Sequence, residues 1–231
     1  MIPLELIHFK NKPILSQLYL EEALLRADNK NYCLINQGSC PSIVMGISAK
    51  KEQVIHDNNH LSIIRRFSGG GTVVVDESTL FITFIFNQKD TQVPLQPEAI
   101  MRWTEPIYQQ VFGSIDFKLK ENDYVIEEKK CGGNAQYLCK DRFLHHTSFL
   151  WDFKQENMDL LKFPPKTPSY RSNRSHKDFL CTLNEYFDSQ ETLINSFKQV
   201  LEEKFRVIAS NENEHEEILS RPHRRATIVL E

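Results

Sequence analysis

Glycine is scarce in this sequence of 231 residues, and several other features are missing from it. No apolar run approaches the ~20 residues that a helix needs to cross a bilayer, so no membrane partner is expected. The opening, Met1-Ile2-Pro3-Leu4-Glu5-Leu6-Ile7, lacks a basic segment and carries Glu5 inside its apolar stretch, which does not read as a secretory leader. Positive charge is not in excess: 28 Lys and Arg against 31 Asp and Glu leave a net charge of -3, which argues against a broad polyanion-binding face and against nucleic acid as a partner. The five cysteines, Cys33, Cys40, Cys131, Cys139 and Cys181, are odd in number and never spaced as C-x-x-C. Neither a disulfide framework nor a zinc cage is indicated, and a reducing compartment, the cytoplasm or an organelle matrix, is the expected setting. The Gly-Lys-Ser/Thr ending of a P-loop, a dinucleotide fingerprint opening a helix and a G-x-S-x-G nucleophile elbow are all lacking.

What is present is the composition of a soluble globular protein, 40% hydrophobic and 26% charged, long enough for one or two domains and a sizeable core without staples. Five of its eight glycines fall in two tracts, Arg65-Arg66-Phe67-Ser68-Gly69-Gly70-Gly71 and Lys129-Lys130-Cys131-Gly132-Gly133-Asn134, each led by two cations. Glycine lets main-chain N–H groups approach a ligand, and Arg and Lys supply charge-assisted hydrogen bonds to phosphate or carboxylate oxygens, so the pairing points to an anion site. Two tight strand turns are the plainer alternative.

Along the chain, Ile2 to Phe9 reads as a strand, and Ile14 to Leu25 carries apolar residues at helical spacing with Glu21 and Glu22 expected to face water. Strands are expected at Tyr32 to Asn36, Ser42 to Met45, Leu61 to Arg66, Thr72 to Val75 and Leu80 to Phe86. A helix is expected from Pro97 to Phe112, kinked or divided at Pro106. Extended segments follow around Tyr124 to Glu127, Ala135 to Leu138 and Leu144 to Phe153, so both glycine tracts are expected between strands. Phe163 to Arg174 is proline-rich and basic and reads as a long, functional surface loop. Glu191 to Phe205 is helical in pattern, and the charged remainder, with a basic patch at Arg221 to Arg225, reads as solvated helix and tail. No internal repeat is found. The order of elements predicts an α+β fold, mixed or antiparallel sheets flanked by helices.

Four segments in order, Arg65 to Gly71, Glu121-Asn122-Asp123, Lys130-Cys131-Gly132-Gly133-Asn134-Ala135-Gln136 and Arg142-Phe143-Leu144-His145-His146-Thr147-Ser148, resemble the motifs of the lipoate-protein ligase A family, within the biotin/lipoate A/B protein ligase superfamily. The likeness covers about residues 1 to 180, and ordered motifs are far more specific than either tract alone. The run His145 to Asp152 and the following Arg-containing loop most resemble the lipoate ligase-like proteins of plants. The resemblance implies the biotin/lipoate protein ligase catalytic-domain fold, as a single domain over 1–231 without a clear C-terminal accessory domain. It also implies a two-step reaction: a lipoate carboxylate attacks the α-phosphate of ATP, with Mg²⁺, and a lysine of an acceptor domain then attacks the lipoyl-AMP. Acceptors implied in this way are lipoyl domains of 2-oxo-acid dehydrogenase complexes or the glycine-cleavage carrier protein. A separate accessory ligase subunit is a further implied partner.

Carried over motif by motif, the resemblance gives Lys130 the role of the active-site lysine that contacts acyl carboxyl and phosphate oxygens. Arg65, Ser68, Gly69, Gly70 and Gly71 match the loop beside the acyl-adenylate; of the two arginines Arg65 is preferred, because strand neighbours face opposite sides. Asn122 and Asp123 match positions near adenylate, with Asp123 the Mg²⁺ ligand, and Gly133, Asn134 and Ala135 flank the lysine. Of the paired histidines, His146 is assigned to the site. Cys131 is disfavoured as a nucleophile, because on an extended segment it points away from Lys130. Ile82, Phe84, Leu34 and Val74 are candidates to hold an apolar tail, with ordinary core as the alternative for each.

Two departures stand out. Val75-Asp76-Glu77-Ser78-Thr79 replaces the family's His-Asp-x-Gly-Asn, keeping only Asp76, and little chain remains after the core. An ATP-independent octanoyl or lipoyl transferase and a non-catalytic module that binds acyl-adenylate or lipoyl domains therefore remain alternatives. Biotin ligase is less apt, since its loop usually resembles Gly-Arg-Gly-Arg.

Overall fold

Twelve strands form two sheets in the computed structural model, which describes residues 1–57, 60–164, 167–210 and 212–230, the side chains of 212 and 213 excepted. In chain order the strands are β1 (Ile2–Lys10), β2 (Tyr32–Gln37), β3 (Ser42–Met45), β4 (Ser62–Arg65), β5 (Val73–Val75), β6 (Thr79–Asn87), β7 (Phe117–Lys120), β8 (Asp123–Ile126), β9 (Lys129–Leu138), β10 (Arg142–Leu150), β11 (Phe205–Ala209) and β12 (Ile228–Leu230). The large sheet has the order β11-β1-β2-β6-β10-β9-β8-β7 and the small one β12-β4-β3-β5. Both are mixed: β1 runs parallel to β2 and β11, β3 runs parallel to β4, and the other ladders are antiparallel. The α+β architecture expected from the sequence is the one observed.

The central strand β6 shows how residues choose faces. Leu80, Ile82, Phe84 and Phe86 join a core with Ile100, Ile107 and Tyr108 of the Pro97–Phe112 helix and Phe197 of the Gln190–Lys204 helix. Phe81 and Ile85, at alternate positions, pack on the opposite face with Leu18 and Leu24 of the Ile14–Ala27 helix. Both faces are covered, so β6 is apolar almost throughout rather than alternating. Each fully buried Phe or Ile there contributes about 1.5–3 kcal/mol.

Several expectations need correction. Glu21 and Glu22 do not face water: both have zero exposure, because β6, β10, the small sheet and the Glu212–Ser220 helix cover most of the Ile14–Ala27 helix, of which only Ser16 is exposed. Pro106 does not divide the Pro97–Phe112 helix; it lies on the exposed side, where water can take the carbonyl that proline leaves without a donor. The second glycine tract is not between strands but inside β9, and its Gly132 is there for packing: a Cβ would come within 2.9 Å of the Phe149 ring. The C-terminal segment is not a solvated tail. Strand β11 pairs with β1, and β12 pairs with β4 from Ile228↔Arg65 to Leu230↔Ile63. Within the Phe163 to Arg174 loop, Pro165 and Lys166 lie outside the described residues. Among the described residues no helix is long and apolar enough to cross a membrane.

Candidate functional site: a cavity between the two sheets

A cavity of about 610 Å³ opens between the two sheets, with the small sheet and the Ile14–Ala27 helix on one side and β9 and β10 on the other. Pro164 and the chain from Thr167 to Leu180 close over it, and the far end is fixed where the Cys181 N–H donates to the Lys130 carbonyl at 3.0 Å.

The two glycine tracts meet here. The Gly69 N–H donates to the Gln136 carbonyl at 2.9 Å. Gly70 has φ +114, and a Cβ on it would lie 2.7 Å from both the Asn134 carbonyl and Arg66 Nη2. Glycine is required at that position for two reasons, the backbone angle and the close approach. Arg66 holds the loop in shape: Nη2 donates to the Gly69 and Gly71 carbonyls at 3.1 and 2.8 Å, and Nη1 donates to the Val44 carbonyl at 3.3 Å. Burial lowers its pKa to about 10, opposed by the charge of Glu21, so the guanidinium keeps its charge at neutral pH.

On the opposite wall Lys130 Nζ lies 2.7 Å from Asp123 Oδ1. The other carboxylate oxygen, Oδ2, accepts from the Tyr170 hydroxyl at 2.9 Å, a phenol whose pKa is raised by burial and then by the Asp123 charge, so it stays a donor. Gly133 lies beside the lysine stem, where a Cβ would make only an ordinary contact with Lys130 Cε at 3.8 Å. Asn134 donates to the Asn122 carbonyl at 3.1 Å and accepts from Thr147, tying the Asn-Asp turn to β9.

The lining is suited to anions. Among the described residues, five buried side-chain polar atoms make no hydrogen bond, and three of them, Arg66 Nε, Thr72 Oγ1 and Arg171 Nη2, belong to residues that line this cavity. Arg171 is 3% exposed and lies over the Phe163 and Phe179 rings at 4.4 and 4.8 Å. A buried donor without an acceptor is costly, and Arg66 and Arg171 bring two guanidinium groups to one cavity wall. Val44, Val74, Val75 and Phe81 give the other end an apolar character.

A family model described as the lipoyl protein ligase A/B catalytic domain matches residues 13–206, most of the chain and every segment that walls the cavity. The chain belongs to this family. The lipoate-ligase family lies within the biotin/lipoate A/B ligase superfamily. One curated relative, "Inactive lipoate--protein ligase 2" of Plasmodium falciparum, is 29% identical over 72% of this chain and 60% of its own length. Another, the lipoate-protein ligase LplJ of Bacillus subtilis, is 24% identical over 79% of this chain and 56% of its own. The chain thus spans only about three-fifths of these relatives. Among solved structures, the bi-partite lipoate protein ligase of Thermoplasma acidophilum, described with its E2 lipoyl domain, superposes with a TM-score of 0.77 at 17% identity, covering 95% of this chain and 91% of that one. A lipoate-protein ligase A bound with ATP gives 0.73 at 17% identity, over 94% and 92%. These likenesses establish the lipoate-ligase catalytic fold.

Within that fold, the structure gathers Gly69, Gly70, Gly71, Asn122, Asp123, Lys130, Gly133, Asn134, Ala135 and His146 around one cavity. Arg65 and Ser68 are not part of its wall. Arg65 ends β4, where it pairs with Ile228, and the next residue, Arg66, turns inward, so the choice between the two arginines is reversed. Ser68 is buried beneath the loop, its carbonyl accepting from the Ile47 N–H at 3.0 Å. His145 and His146 take opposite faces of β10. His145 is wholly buried with Tyr124, Gln136 and Thr147, and burial followed by the charge of His146 pushes its pKa down to about 3. Of the tail candidates only Val74 lines the cavity; Ile82, Phe84 and Leu34 are core. Cys131 points into the core on the other side of β9 from Lys130, and burial raises its thiol pKa well above the usual value.

Sequence reasoning missed Arg171 and Tyr170 as individuals, naming only their loop, and it placed Glu21 in water. No cluster of three or more His, Cys, Asp or Glu forms a metal cage among the described residues. Asp123 keeps one lone pair on each oxygen, which fits a Mg²⁺ ion held mainly by phosphate oxygens and water but not a site made by protein alone.

Proposed function

We propose that this cavity binds a lipoyl-type carboxylic acid and ATP, joins them as an acyl-adenylate and passes the acyl group to a lysine of a lipoyl domain. The observation that carries this reading is Lys130, set 2.7 Å from Asp123 and facing across the cavity to the interlocked glycine loop. A carboxylate and a triphosphate repel each other, and fixed cations in a partly water-excluded site are the largest stabilisation available to their reaction.

In the first step the acid oxygen forms a bond to the α-phosphorus and pyrophosphate leaves. Lys130 faces the incoming carboxylate and phosphate oxygens, while Asp123 and Tyr170 hold it in place. Arg66 and Arg171 place guanidinium charge beside the phosphates, and Val74, Val75 and Phe81 take the apolar tail. Asp123 is the residue that would hold Mg²⁺, whose charge shields the triphosphate. In the second step a lysine amine attacks the acyl carbon and AMP leaves. The fold shared with an ATP-bound ligase is in keeping with this reading. A second chain that assists adenylation is part of the proposal, since one neighbour of the same fold is described as a bi-partite ligase.

A second reading, ATP-independent transfer or binding without turnover, draws on the relative named as inactive. A thioester route through Cys131 is disfavoured by its burial on the wrong side of β9. The deciding measurement is lipoate-dependent exchange of labelled pyrophosphate into ATP, with and without candidate partner chains. Exchange supports the ligase; acyl transfer or tight binding with no exchange under any condition favours the second reading.

A further inference from the structure

One buried charge, Glu21, lies behind the cavity-lining His146 and is not used by the reaction described above. Its Oε1 accepts from Gln17 Nε2 at 2.7 Å and from the Thr83 hydroxyl at 2.7 Å, and lies 3.0 Å from His146 Nδ1; its Oε2 lies 3.2 Å from the same nitrogen. Gln17 in turn accepts from Asn36 Nδ2 at 2.8 Å, so its amide orientation is fixed and its NH₂ faces Glu21. Thr83 Oγ1 is also 3.0 Å from His146 Nδ1.

This network assigns protons. The Thr83 hydroxyl gives its hydrogen to the carboxylate, so toward His146 it offers only a lone pair. Glu21, accepting from Gln17 and Thr83, is likewise an acceptor. His146 Nδ1 therefore faces two acceptors and must carry the hydrogen itself. In the neutral ring that leaves Nε2 as a bare acceptor. No hydrogen bond to Nε2 is made by any described residue, and His146 lines the cavity with its ring held edge-on against Phe81 at 5.7 Å.

We propose that His146 Nε2 is the base that takes the proton of the acceptor amine during acyl transfer, with Glu21 and Thr83 as positioning residues that fix its tautomer. The inference rests on the acyl-adenylate reading of this cavity. Its location is suitable: His146 and Ser148 are two residues apart on β10, about 7 Å, and Ser148 pairs with Gly133, which lies against the Lys130 stem. The amine nitrogen forms a bond to the acyl carbon, the bond from that carbon to the adenylate oxygen breaks, and AMP leaves with the electron pair. The extra proton on nitrogen passes to Nε2, and the Glu21 carboxylate stabilises the imidazolium that forms, as an acid behind a histidine does in other acyl transfers. Lys130, paired with Asp123, is left to bind phosphate and carboxyl oxygens.

The test separates the two half-reactions. Transfer from preformed lipoyl-AMP to a purified lipoyl domain, and pyrophosphate exchange, are measured for the wild-type chain, H146Q, E21Q and T83V, with T83S as the conservative rescue. The expected result is a loss of transfer of about 100-fold in H146Q, at least ten-fold greater than its loss of exchange, with E21Q and T83V falling in the same sense and T83S recovering. Nitrogen-15 chemical shifts of His146 in the wild-type protein, free of ligand and of any activity, are expected to report the Nδ1–H tautomer. An Nε2–H tautomer, equal losses in both half-reactions, undiminished transfer in H146Q, or a wild-type chain that cannot use lipoyl-AMP would each overturn the assignment. Transfer without exchange would instead count against ATP-dependent activation alone and leave the role of His146 standing.

Discussion

The Gly69 amide donates to the Gln136 carbonyl, and this one bond at 2.9 Å joins two glycine tracts that are far apart in sequence. Around it, Gly70 sits against the Asn134 carbonyl and the Arg66 guanidinium with φ +114. The cavity wall is therefore backbone packed on backbone, and its shape depends on the absence of side chains at particular points.

Gly70 and Gly71 should accordingly respond differently to alanine. Gly70→Ala combines a positive φ with 2.7 Å contacts to a carbonyl oxygen and to Arg66 Nη2, and is expected to cost upwards of about 2 kcal/mol. Gly71→Ala meets nothing within 4 Å and should leave stability within about 0.5 kcal/mol. Urea unfolding of the two variants checks the contrast.

Lys130→Ala should reduce lipoate-dependent pyrophosphate exchange by about 10²–10³-fold. Its side chain is 24% exposed, so the broken pair with Asp123 should change folding stability by no more than about 1 kcal/mol. Lys130→Arg should not restore activity, because a planar guanidinium does not reproduce a compact ammonium in a fixed pocket. Normal exchange in Lys130→Ala would remove the basis for the ligase reading.

Glu22 holds the C-terminal segment to the first helix. Its carboxylate accepts from the Ala226 N–H at 2.9 and 3.1 Å, from the Thr227 N–H at 3.1 Å and from Arg26 at 3.2 Å. Glu22→Gln should destabilise by about 2 kcal/mol, since the charge and one acceptor are lost while buried amides remain. Hydrogen exchange at Ala226 and Thr227 should accelerate in step; unchanged protection there would show that β12 is held by its ladder with β4 alone.

His145 makes stability depend on acid. Its pKa is about 3 in the folded protein, against about 6.5 unfolded, so between these values the unfolded chain binds more protons and stability falls as pH falls. The contribution is complete above about pH 7 and amounts to about 2 kcal/mol lost by pH 5. Urea titrations from pH 4 to 8 should show this slope in the wild-type chain and a shallower one in His145→Gln.

Much of the fold was legible because local patterns and tertiary structure agree. The apolar runs that become β1, β2, β3 and β6, and the helical spacing of Pro97–Phe112, are close to what the residues predict. The short edge strands β7, β11 and β12 were not, since a few residues in an edge strand carry little periodic signal and depend on the neighbour they join. Of the site residues named from the motifs, most are now seen around the cavity, but their orientation was not legible: Arg66 faces inward rather than Arg65, and His145 turns away from His146.

By itself the sequence determined the classes of chemistry open to this protein, through sparse glycine placed beside paired cations and through motifs in a set order. Which donors meet which acceptors was decided only by the folded chain. By its charge alone Glu21 looks like a water-facing residue, and it is a buried acceptor because β6, β10 and the small sheet close around that helix. Pairing across strands far apart in sequence sets those distances, and a carboxylate can stay charged out of water only where such pairing brings enough hydrogen-bond donors to it.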